Sequence, residues 1–176
     1  SKAFDTLNHE LLLAKLHAYG FDYNAVSLVK SYLSDRWQRT KVKGAFSSWS
    51  ELLQGVPQGS ILGPILFNLF INDMFLWIEH AELENFADDN TISAFANSIP
   101  ELIKVLETES EIAIDWFKKN EMIANASKFH AIIVNRSGRH SGTHKLNIAG
   151  DEIESEESVP LLGVEIDSKL NFGKHI

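Results

Sequence analysis

Two adjacent carboxylates, Asp88 and Asp89, stand in the stretch Phe86-Ala87-Asp88-Asp89-Asn90, where neither lysine nor glycine interrupts them. The runs on either side, 82–85 and 91–95, read as short strands, so the pair is expected to cap a hairpin. Asp and Asn also favour tight turns for local reasons, because they tolerate positive φ and hydrogen-bond their own backbone. A stiff hairpin holding two carboxylates side by side makes them repel, and a bound divalent cation relieves that repulsion. The chemistry such a pair suits is metal-assisted transfer at phosphate, in which cations clamp the attacking and leaving oxygens.

Two other stretches could meet a ligand. Gln54-Gly55-Val56-Pro57-Gln58-Gly59-Ser60-Ile61-Leu62-Gly63-Pro64 is a glycine- and proline-punctuated turn that brings backbone N–H groups and the Gln58 side chain to the surface, although an ordinary loop before a helix would read the same way. Residues 35–44 switch to period two, which would set Arg39, Lys41 and Lys43 on one strand face beside Trp37. Cations beside a stacking ring suit a nucleic-acid backbone, and a solvated strand face gives the same pattern.

The elements that must position these residues alternate between helix and strand. Helical spacing predicts helices over 8–19, stopped by Gly20, and over 24–33. A strongly apolar helix is expected over 65–80; Asn68, Asn72 and Asp73 interrupt it, so it reads as a buried spine and not as a membrane span. Ser98 and Glu101 have capping-box spacing and open a helix to about Asn120, whose acids Glu107, Glu109 and Glu111 are expected to form a solvated face. A strand over 129–135, a loop over 136–144 expected to be mobile, a hairpin turning at Gly150-Asp151 and a final strand over 161–166 complete the series, with an acidic patch at 152–157. This order indicates an α+β fold, helices backing an antiparallel sheet.

Composition sets the bounds. A chain of 176 residues with 44% apolar content can bury a core. Without cysteine there is no disulfide, thiolate zinc site or cysteine nucleophile. A net charge of −8 argues against a binder that grips nucleic acid with its whole surface. The first residue is Ser1, inside sequence that reads as structured, so the chain is expected to be an excerpt from a longer protein.

Taken together, Ser1-Lys2-Ala3-Phe4-Asp5, Gly55-Val56-Pro57-Gln58-Gly59-Ser60, Phe67-Asn68-Leu69-Phe70-Ile71-Asn72-Asp73, Phe86-Ala87-Asp88-Asp89, Asn125-Ala126-Ser127-Lys128 and Leu162-Gly163-Val164-Glu165-Ile166-Asp167 closely resemble, in order, the reverse transcriptase domain of non-LTR retrotransposons. The resemblance covers essentially the whole chain. It implies the palm of a right-hand polymerase over 1–135, and over 136–176 the end of the palm and the start of the thumb with a primer-grip-like hairpin; the fingers and most of the thumb would lie outside.

The resemblance also assigns roles. Asp88 and Asp89 would be the metal-holding acids of a site for two Mg2+ ions, with Mn2+ as an alternative, and Lys128 would protonate or neutralise the leaving pyrophosphate. Phe4 would select deoxynucleotides by closing off the sugar 2′ position, and Gln58 and Gly59 would contact the incoming dNTP and the template. Phe86, Leu162 and Gly163 would lie against template and primer. The partners implied are an RNA template, a DNA primer and dNTPs, with an endonuclease elsewhere in the parent protein, no membrane, and an intracellular place of action. A further catalytic aspartate of the first palm motif would fall upstream of Ser1; Asp5 is a poor substitute, and this stretch alone is expected not to polymerise. An element remnant or a reused nucleic-acid-binding domain is the alternative. An RNA-templated RNA polymerase is disfavoured by Phe4, since such an enzyme must admit the 2′-hydroxyl.

Overall fold

The computed structural model describes residues 3–135 and 142–173. A short helix α1 (Ala3–Thr6) leads into α2 (His9–Ala18), which starts where the Asn8 side chain accepts from Leu11 N–H at 3.0 Å. Gly20, at φ 89°, ends it, and Asp22 caps α3 (Tyr23–Leu33) in the same manner through Ala25 N–H. Leu12, Leu16 and Leu33 are the fully or almost fully buried positions of this pair.

The strand expected over the basic stretch is broken. β1 (Trp37–Gln38) pairs with β4 (Ser50–Glu51), and nested inside that pair β2 (Lys41–Val42) meets β3 (Ala45–Phe46). Lys43 occupies the turn with Gly44, so the three cations do not share one strand face.

The apolar helix is shorter than its composition suggests. α4 (Leu62–Ile71) gives way to a 3-10 helix over Asn72–Leu76. The change coincides with Asp73 turning inward, where one of its oxygens takes Lys15 Nζ at 2.6 Å and the Trp116 indole N–H at 3.2 Å. Lys15 also donates to Phe70 O and lies 4.6 Å from the Phe70 and Trp116 ring centroids. Burial pulls the Lys15 ammonium pKa down from its ordinary value, against the opposing pull of Asp73. Among the described residues no helix is long and apolar enough to cross a membrane.

β5 (Glu82–Phe86) and β6 (Asp89–Ser93) form the acidic hairpin, and α5 (Ile99–Lys119) follows, capped by Ser98 as the spacing predicted. The acids of α5 do not all face solvent. Glu109 is 1% exposed and accepts the N–H groups of Glu79 and His80, and Glu107 accepts from Asn147 N–H. Glu109 therefore closes the chain exit after the 3-10 helix, a task no local spacing encodes.

A 3-10 turn over Ala126–Lys128 precedes β7 (Ala131–Ile132), far shorter than the strand expected over 129–135. β8 (Lys145–Ile148) and β9 (Asp151–Glu156) turn at Ala149-Gly150, one residue earlier than expected, and the acidic patch is itself the strand β9. The expected final strand over 161–166 is two strands, β10 (Ser158–Leu161) and β11 (Val164–Asp167), folded back at Leu162-Gly163. Of the loop expected to be mobile, residues 136–141 lie outside the described residues.

The result is α+β, but with five small sheets among the described residues in place of one antiparallel sheet backed by helices. Four are two-stranded and antiparallel; the fifth, β7-β9-β8, joins a parallel to an antiparallel pair. Two apolar cores hold them. The larger joins α2, α4 and the 3-10 helix to Ala113 and Trp116 of α5, and Leu83 and Ile92 of the acidic hairpin pack against it. The smaller gathers Leu146 and Ile148 of β8 around Ile114 of α5.

Candidate active site

The residues that could meet a ligand are held by two sets of contacts. In the first, Phe4 on α1 lies beside the turn over residues 54–60. Val56 N–H donates to Phe4 O at 2.9 Å and Gly55 N–H to Leu7 O at 2.7 Å, so two backbone bonds stitch the segments together. His9 Nε2 donates to Gly55 O at 2.6 Å. Gly55 is obligatory on two counts: its φ is +81°, and a Cβ there would come within 2.7 Å of the Asp5 backbone. Gln58 donates its amide to Asp5 at 3.0 Å, and both side chains are exposed. Gly59 follows at φ +78° with open space around it, and Ser60 Oγ then accepts from Gly63 N–H at the head of α4.

The Phe4 ring is held from behind. It stacks on Phe67 with centroids 4.3 Å apart and an interplanar angle of 20°, and Phe67 is only 1% exposed. The structure thus brings together Phe4, Asp5, Gln58 and Gly59, remote in sequence. Phe67 and Gly55 stand inside the quoted motifs without an assigned role, and His9 stands outside them; all three are supporting residues. A backbone approach as tight as the Gly55–Asp5 contact leaves no trace in periodicity.

The second group is the acidic hairpin. Phe86 pairs with Asp89 across the strands, so the loop is only Ala87 and Asp88, and Asp89 opens β6 where a longer acidic turn was expected. Ala87 sits at φ 54°, where a side chain is strained and glycine is the usual occupant. Asp88 is half-buried, Asp89 is exposed, and Phe86 is 66% exposed. The Asn90 side chain donates to Asp88 O at 3.2 Å, which fixes the turn backbone and leaves the carboxylate alone. Among the described residues neither carboxylate has a hydrogen-bond or ion-pair partner. Next to them, both polar side-chain atoms of Asn85 are buried without a partner.

Two unpartnered carboxylates on one tight turn are hard oxygen donors that suit Mg2+ or Mn2+. Among the described residues, however, no group of three or more His, Asp or Glu side chains is placed to hold a metal ion. By themselves these residues do not fit a two-ion clamp.

The remaining candidates belong to other elements. Lys128 is exposed at the end of its 3-10 turn, which Asn125 caps through Ser127 N–H and Oγ. Among the described residues no hydrogen bond or ion pair ties Lys128 to Asp88 or Asp89. Leu162 and Gly163, at φ 48° and 82°, form the turn between β10 and β11, with Leu162 57% exposed. Asp167 anchors the far end of that hairpin. Desolvation, the largest single influence, works to raise its pKa, but the N–H bonds from Asn171, Lys169 and Phe172 together outweigh it and hold the carboxyl below its ordinary value.

Comparison with known proteins adds a frame. Residues 1–166 match the family model described as reverse transcriptase (RNA-dependent DNA polymerase). The chain is 30% identical over 99% of its length to the RNA-directed DNA polymerase from mobile element jockey of Drosophila melanogaster, covering 20% of that protein. It is 26% identical, over 99% of its length and 20% of the relative, to the probable RNA-directed DNA polymerase from transposon BS of the same species. It is 31% identical over 69% of its length to the Pol polyprotein from the type-1 retrotransposable element R1 2 of Nasonia vitripennis, covering 31% of it. The chain spans about a fifth of the length of the first two relatives, 20% in each case.

Proposed function

Because this chain belongs to the reverse transcriptase (RNA-dependent DNA polymerase) family, we propose that it supplies the palm of an RNA-directed DNA polymerase of a non-LTR retrotransposon, with the start of the thumb after residue 135. The reaction is transfer of a nucleotide from a dNTP to a primer 3′-OH on an RNA template. The observation that carries this reading is the tip of the β5–β6 hairpin, where Asp88 and Asp89 stand side by side with no partner among the described residues to neutralise them. Phosphoryl transfer asks the protein for positioning and charge compensation and for little covalent work.

Each residue then has a task. Asp88 and Asp89 would offer carboxylate oxygens to a divalent cation, which would supply charge compensation on the phosphate oxygens. Phe4 presents its ring to the sugar, kept in place by the stack on Phe67. Gln58, tethered to Asp5, and the open turn at Gly59 approach the incoming nucleotide and the template. Lys128 neutralises the leaving pyrophosphate, and Phe86 with the Leu162-Gly163 turn contacts the template and primer strands.

The test is extension of a DNA primer on an RNA template by the polymerase polypeptide that carries this stretch, beside its Asp88→Ala, Asp89→Ala double variant. Magnesium-dependent synthesis that the double variant loses by at least about a thousandfold supports the assignment. A folded polypeptide that binds template and never extends the primer points to a binding module without catalysis.

A further inference from the structure

The segment between α3 and the 54–60 turn has no place in the roles above. Every residue from 37 to 51 is exposed. It forms a narrow two-stranded ribbon, closed at its base by Leu52 N–H donating to Arg36 O and by β1–β4, and at its tip by β2–β3. A two-stranded ribbon is marginal by itself. Yet this one displays Trp37, Phe46 and Trp49 at 55%, 51% and 57% exposure, and they serve neither apolar core.

Its charge is equally singular. Between Arg36 and Ser50 the sequence holds four cations and no acid, in a chain whose net charge is −8. The Arg39 guanidinium lies 3.9 Å from the Phe46 ring centroid and 4.6 Å from that of Trp49; Lys41, directly opposite Phe46, approaches the same ring at 5.1 Å. Among the described residues Arg39, Lys41 and Lys43 have no carboxylate or hydrogen-bond partner. A guanidinium stacked on rings keeps its planar edge of N–H donors free, and that edge matches phosphate geometry.

We propose that this ribbon is a docking surface for a single-stranded polynucleotide, with Arg39, Lys41 and Lys43 on its phosphates and Trp49 and Trp37 against its bases. Charge complementarity chooses the occupant. A positive strip on an acidic chain attracts a polyanion, and the exposed rings require bases free of their pairing partners. The proposal rests on the polymerase reading for which strand lies there, and not for the contact itself.

The experiment is fluorescence anisotropy of labelled oligouridylate, oligodeoxythymidylate and a nucleic-acid duplex with the 176-residue chain, without nucleotide or metal. Both single strands, or RNA alone, or DNA alone, should bind better than duplex, with RNA preference assigning the template and DNA preference the product strand. Three phosphate contacts give a log–log salt slope of about −2. Arg39→Ala with Lys41→Ala, and separately Trp49→Ala, should each weaken binding about tenfold.

Lys43→Asn separates binding from folding. It creates the Asn-Gly pair that this turn conformation prefers, so the ribbon holds or tightens while the salt slope falls by about 0.7. Asp88→Ala with Asp89→Ala should bind like the parent, so loss of synthesis and loss of docking are read independently. Duplex binding as tight as single strand, ribbon variants equal to the parent, or no binding by the folded chain would each overturn the proposal.

Discussion

At the scale of single residues, the site is shaped by conformations that side chains resist. Gly55 and Gly59 lie in one turn at nearly the same φ, 81° and 78°, but only Gly55 is pressed against another segment. Gly55→Ala must strain the backbone and push α1 away, breaking the bonds from Gly55 and Val56 to Leu7 and Phe4. Its cost is expected to be about 3 kcal/mol, against about 1 kcal/mol for Gly59→Ala, where strain acts alone. Urea denaturation of the two variants checks this; equal costs would mean that α1 gives way freely. The choice of alanine at residue 87 runs the other way. An alanine held at φ 54° beside two unpartnered carboxylates is strain stored where the proposed chemistry happens, and the backbone bond from Asn90 helps to hold it.

At the scale of elements, what could be read in the sequence was whatever local chemistry controls. Helices α2 and α5 begin at Asn8 and Ser98, each capping the first turn with its own side chain, and α2 stops at Gly20; α3, read over 24–33, is capped by Asp22, which the reading did not name. Asp88 and Asp89 sat in an interval whose flanking strands were legible for the same reason. What escaped were features decided by distant partners. The break of α4 into a 3-10 helix accompanies Asp73 meeting Lys15 and Trp116, and the folding back of residues 158–167 depends on a Leu162 at positive φ that no propensity foretells. Phe4 and Gln58 were legible as members of motifs, but their supports, Phe67 and Asp5, became visible only in space. Glu109 is the sharpest instance. Spacing put it on a solvated face, and it is buried, accepting two backbone N–H groups where the chain leaves the 3-10 helix. Replacing it by leucine of similar bulk leaves both donors orphaned, and the expected loss is about 3 kcal/mol in thermal or chemical unfolding, with Glu109→Gln recovering about half by keeping an acceptor. A loss below about 0.5 kcal/mol would show that water reaches those donors.

At the scale of the whole molecule, α5 is the beam that both cores share. Ala113 and Trp116 face the larger core, under the acidic hairpin and the Phe4–Phe67 stack, and Ile114 faces the smaller one beneath β8. The two are unequal: the smaller has three buried residues, Ile114, Leu146 and Ile148, so it has less apolar area with which to resist opening. The core beneath the acidic hairpin is therefore expected to be the more stable, and the core beneath β8 the more easily opened. Native-state hydrogen exchange should resolve this, with amides of β8 and β9 opening at lower free energy than those of α2 and α4. Leu146→Ala sharpens the comparison, because Leu146 is 2% exposed and its truncation costs about 3 kcal/mol. If the cores are separable units, that cost appears in the exchange of β8 and β9 while α2 and α4 keep their protection. If α5 transmits it, protection falls by the same amount in both. The first outcome is expected, because Ile114 and Ala113 lie on different sides of the helix, and losing the contacts of one leaves those of the other intact.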